Sequence, residues 1–115
     1  MDGNFIRHLK GEIIEKVLGK QQSYVAALIP ELSNQIVTET LQYLAAEASH
    51  QEDSEAPQYK WIVQLNIIEK TPKGSSGFHT QAGALLDASR DTTFECRWES
   101  KALICTCWVF RIHLP

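Results

Sequence analysis

The sequence predicts an α+β fold, two N-terminal helices packed on a four-stranded antiparallel sheet, formed by a single domain covering residues 1–115. Two observations carry this prediction. The apolar period changes once along the chain, from every three to four residues to every second residue, so helices precede strands. The strand-like half is punctuated by Gly, Pro, Ser and Asp turns short enough for antiparallel neighbours. A third feature bears on assembly: the last strand is apolar on both faces, and two helices can cover only one.

Phe5, Leu9, Ile13 and Val17, flanked by Ile6, Ile14 and Leu18, form the first helical stripe. Asn4 reads as its N-cap and Gly19 as its stop, and Gly11 inside the stripe costs about 1 kcal/mol relative to Ala. A second helix is expected to open at Pro30, harmless in a first turn, with Glu31 at the positive end of the helix dipole. Leu32, Ile36, Val37, Leu41, Leu44 and Ala48 make its stripe, with Glu39, Gln42 and Glu47 on the wet side. Residues 49–58 have no apolar period and read as a surface loop.

From Tyr59 the pattern alternates: Trp61, Val63, Leu65 and Ile67 point one way, and Lys60, Gln64 and Asn66 the other, with Ile62 and Ile68 interrupting the polar face. A Pro/Gly loop at 71–77 follows, whose glycine spacing does not make a phosphate loop. A second strand is expected at 78–87, weakened by the central Gly83, which allows close approach of another backbone. After a turn at 88–91, Thr93 to Glu99 sends Phe94, Cys96 and Trp98 inward and Glu95, Arg97 and Glu99 outward. In the last strand Ile104, Trp108, Phe110 and Ile112 fill one face, and Leu103, Cys105, Cys107 and Val109 the other.

This arrangement leaves apolar surface to spare. Two exposed aromatics present about 300–500 Å² of largely apolar area, worth several kcal/mol when buried, and patches of that size mark contact sites. A second copy of the chain is the expected cover; a fold-back of loop 49–58 is the alternative. With 22% charged residues, a net charge of −3 and no basic cluster, neither nucleic acid nor an anionic membrane is an expected partner. No apolar run reaches the length of a membrane span, and no secretion signal is evident, so the cytosol is the expected compartment.

Chemistry-bearing residues are sparse. Cys96, Cys105 and Cys107 are an odd set, fitting reduced, buried thiols better than disulfides, and zinc would need further ligands where only the scattered His8, His50, His79 and His113 exist. His79 beside Thr80, with Asp87 or Asp91 as orienting group, sketches a nucleophile and base, but a strand sends adjacent residues to opposite faces and no nucleophile turn frames them. The expectation is a protein that is not an enzyme and uses no cofactor.

Several stretches together resemble the Tctex-type dynein light chain family. They are Val37-Thr38-Glu39-Thr40-Leu41-Gln42-Tyr43-Leu44, Tyr59-Lys60-Trp61-Ile62-Val63, Gly77-Phe78-His79-Thr80, Leu86-Asp87, Arg97-Trp98-Glu99-Ser100-Lys101 and Cys105, collinear over nearly the whole chain. The resemblance implies a homodimer in which the second strand is exchanged between protomers. It also implies a non-catalytic dynein subunit that binds an extended segment of the dynein intermediate chain by strand addition and tethers cargo, at the cytoskeleton or in a cilium or flagellum. On the matched positions the peptide groove would be formed by Phe78, His79, Thr80, Gln81, Ala82, Gly83, Ala84, Leu85, Leu86 and Asp87. The dimer interface would use Leu85, Trp98, Cys105, Cys107, Trp108 and Phe110. The chain departs from the family in a longer 71–77 loop and in Ala84, Leu85 and Leu86 before Asp87, changes that bear on partner preference more than on fold. A Tctex-like peptide-binding hub that has left the motor is the alternative.

Overall fold

The computed structural model describes residues 2–49, 59–70 and 91–114. Its first helix runs on continuously as α1 (Asp2–His8), a π-helical segment (Leu9–Ile14) and α2 (Glu15–Leu18), with right-handed helical angles at both junctions. Asn4 therefore lies inside α1 and is not its cap. Where an α-helix would send Leu9 and Ile14 to diverging directions, the i→i+5 pairing of the π segment keeps Leu9, Ile13 and Ile14 buried together. Gly19 does end the helix, but at φ −61°, so its lack of a side chain matters for space and not for handedness: a Cβ there would collide with the Glu15 carbonyl oxygen.

A 3-10 turn (Ala26–Leu28) leads into α3 (Ile29–Ser49), with Pro30 in its first turn as expected. Its buried row is narrower than the sequence pattern implies. Ile36, Thr40 and Leu44 are fully buried, with Leu32 and Tyr43 packed beside them, while Leu41 and Ala48 are exposed. Leu41 lies about 100° around the axis from Thr40, and the core takes the hydroxyl in its place because Thr40 Oγ1 donates to the Ile36 carbonyl at 2.7 Å. The Lys16 ammonium and Glu39 carboxylate form an ion pair that ties the two helices at their surface.

Three antiparallel strands are described: β1 (Tyr59–Glu69), β2 (Thr92–Glu99) and β3 (Leu103–His113), ordered β1-β3-β2. The expected strand at 78–87 and the loops 49–58 and 71–77 fall, apart from Ser49, outside the described residues. The β2–β3 turn is closed by Ser100, whose hydroxyl accepts from the Leu103 amide at 3.1 Å while its own amide donates to the Leu103 carbonyl at 2.9 Å. The register sets Val63, Val109 and Phe94 side by side across the sheet, and likewise Leu65, Cys107 and Cys96. These rows face the helices and, with Phe5, Leu9, Ile14, Leu18, Ile36 and Leu44, form one core.

Candidate interaction surface

Strand alternation divides the functional residues between two faces of the sheet. On the helix side, Trp98 is 5% exposed and its indole donates to Glu15 Oε2 at 2.6 Å, pinning β2 to the start of α2. Cys105 and Cys107 are fully buried beside it. Burial pushes the Cys107 thiol up to about 12 and that of Cys105 further, each abetted by its neighbouring thiols. Burial also raises Cys96, opposed in part by the charge of Lys10. The thiols are thus inert hydrophobic packing.

The far face carries Ile62, Ile68, Ile104, Trp108, Phe110 and Ile112, none of which joins the core formed with the helices. Ile62 is 39% exposed, Trp108, Ile68 and Ile112 are half-buried, and Ile104 and Phe110 are down to 5% and 6%. Asn66 and Thr106 face one another in register at its centre, with the Asn66 side-chain nitrogen and Thr106 hydroxyl buried and, among the described residues, without a hydrogen-bond partner. Such groups are costly to leave unmatched. Of the four aromatics competing for helix cover, Trp61 and Trp98 receive it, and Trp108 and Phe110 do not.

Among the interface residues expected from sequence, then, Trp98, Cys105 and Cys107 are enclosed within the protomer because their strand positions share the parity of Val109. Trp108 and Phe110 have the opposite parity and lie on the face the helices leave alone. Leu85 and the groove residues 78–87 lie outside the described residues.

A third feature is the margin of β2. Thr92–Glu99 pairs with β3 along one side only, so among the described residues its other side presents unpaired main-chain donors and acceptors. Beside that margin an open cleft of about 550 Å³ is lined by Gly3, Ile6, Arg7 and Lys10 from the first helix and by Thr93, Phe94 and Glu95 from β2. One end of the sheet is locked: the Arg111 guanidinium lies 4.6 Å over the Tyr59 ring and donates to Thr92 Oγ1 at 3.0 Å, and Asp91 Oδ1 accepts from the His113 amide at 2.7 Å. Asp91 is thereby engaged in capping the sheet. His8 stacks on Tyr43 at 4.1 Å, a packing role. Arg7 and Lys10 were not singled out from sequence; their three-residue spacing was readable, but their place against β2 depends on helix packing.

No helix among the described residues is long and apolar enough to cross a membrane, and those residues contain no cluster suited to a metal ion. Two helices lie on one face of an antiparallel sheet whose other face keeps Ile62, Ile68, Trp108 and Ile112 partly exposed and, among the described residues, one margin of β2 unpaired. The chain belongs to the Tctex-1 family, whose profile matches residues 3–112. It is similar to proteins named Dynein light chain Tctex-type 3: 34% identical over 56 residues to those of Ovis aries and Homo sapiens, and 33% to that of Mus musculus. Each match covers 49% of this chain and 46% of the relative, so the similarity spans about half the length of those proteins.

Proposed function

We propose that this protein is a non-catalytic light chain of a dynein motor complex, acting as a homodimer that binds an extended segment of the dynein intermediate chain by strand addition and tethers cargo. Family membership supports the light-chain role. The single observation that carries strand addition is the margin of β2 left unpaired among the described residues, because added main chain there satisfies donors and acceptors whatever the ligand's side chains. The far face supports dimerisation, since Ile62, Ile68, Trp108 and Ile112 keep exposed area there that the helices do not cover and a second copy would bury. Residues 78–87 remain the proposed exchanged strand and peptide groove, with Leu85 at the interface. A cytoskeletal, cytoplasmic location follows from the role, and a ciliary motor is an equal fit to the chemistry.

Calorimetry with a peptide covering the light-chain-binding segment of the intermediate chain tests this reading. Micromolar or tighter binding is expected. Absence of binding to a folded dimer removes the motor role and leaves the motor-independent peptide-binding module.

A further inference from the structure

Among the described residues, the cleft between the first helix and the unpaired margin of β2 has a charge pattern that main-chain pairing alone does not explain. Arg7 and Lys10 are exposed on its helix wall and form no ion pair among the described residues. The wall's anion, Glu95, belongs to the outward set of β2, opposite Trp108 on the far face, whereas Phe94 points to the helices. An incoming strand would therefore meet cationic side chains on its helix-facing side and the carboxylate on its other side. Ile6 and the buried Phe94 ring supply an apolar floor between them.

We infer that this cleft binds an acidic extended segment of a partner protein, with carboxylates at alternate positions paired to Arg7 and Lys10. The inference rests on the strand-addition reading above and names the chemistry of the ligand. Alternate residues of a strand lie about 6.6–6.8 Å apart. Arg7 and Lys10 are separated by a rise of about 4.5 Å, and their long side chains cover the difference. Main-chain bonds along β2 hold the segment, while the two charge pairs choose it.

The test uses the full-length protein in its native oligomeric state and two synthetic peptides of Thr and Val, one with Glu at positions i and i+2, the other with Lys there. The Glu peptide binds and the Lys peptide does not, and raising salt weakens the binding. Arg7→Glu with Lys10→Glu weakens the Glu peptide by about tenfold or more, whereas Arg7→Lys with Lys10→Arg retains it. Equal binding of the two peptides, or a Glu-peptide affinity untouched by charge reversal, overturns the inference. So does dissociation of the dimer on charge reversal, which would assign the cleft to a second copy. The intermediate-chain peptide is titrated into the same samples: its binding surviving while the Glu peptide fails to bind refutes the acidic ligand alone, leaving the motor role standing.

Discussion

Replacing Trp108 by glutamate tests whether the far face of the sheet joins two copies. Trp108 is half-buried, opposite Gln64 on β1 and Glu95 on β2. An aromatic side chain buries 150–250 Å² when fully enclosed, and since Trp108 is not among the exposed side chains, at most about 90 Å² remains for a partner to cover, worth up to about 2 kcal/mol at roughly 25 cal/mol per Å². A two-fold interface counts this twice, up to about 4 kcal/mol, which raises the dimer dissociation constant by a factor of up to about 10³. The new carboxylate also faces Glu95 across the ladder, a like-charge pair that disfavours the variant by up to about 1 kcal/mol more. Sedimentation velocity over a dilution series reads the dissociation constant, and thermal melts of the same samples read the protomer's fold. Trp108→Ala, which removes area without adding charge, should move the equilibrium in the same direction. A folded Trp108→Glu protein that dimerises as tightly as the parent would refute the assignment of this face.

Three further expectations concern the helix side and the sheet end. Trp98→Phe removes the indole bond to Glu15 while keeping most of the ring, and should destabilise by about 1–2 kcal/mol, read as a fall in Tm. Glu15→Ala should then add little in the double mutant; fully additive losses would show that the two side chains do not act together. Ellman's reagent near pH 8 should label none of the three cysteines in the native protein and all three in denaturant, because Cys96, Cys105 and Cys107 are buried and their thiols are pushed up; rapid native labelling contradicts the packing. Glu99 is hydrogen-bonded to Lys70 at 2.9 Å, and that bond, with the attraction of the ammonium, holds its carboxyl below the ordinary value. A carboxyl depressed on folding contributes stability above its unfolded pKa that is lost as pH falls through the folded one. The NMR titration midpoint of Glu99 should accordingly rise in Lys70→Met, and an unchanged midpoint would exclude the pairing.

Much of the fold was legible from residue spacing. Alternation in β1, β2 and β3 assigned each side chain to the correct face, since a strand's period of two leaves no other choice once one face is buried. Helix interiors were harder. Leu41 and Ala48 satisfied the apolar period yet lie exposed, and Thr40 was not in the expected stripe yet lies at its centre, because the stripe that is buried depends on the roll of α3 against β1 and the first helix. The π segment at Leu9–Ile14 likewise follows from the demand to bury Leu9, Ile13 and Ile14 together.

By itself the sequence determined the class, the order of elements and the surplus of apolar faces, because local periodicity and turn chemistry act over a few residues. Only the tertiary structure decided which face the helices take. That choice put Trp98, Cys105 and Cys107 inside the protomer and left Trp108 and Phe110 on the side away from the helices. It also set Arg7 and Lys10 along the open margin of β2, a neighbourhood joining residues more than eighty positions apart. Such contacts arise when two patterned elements must share one core, and no local pattern encodes where their remaining sides will meet.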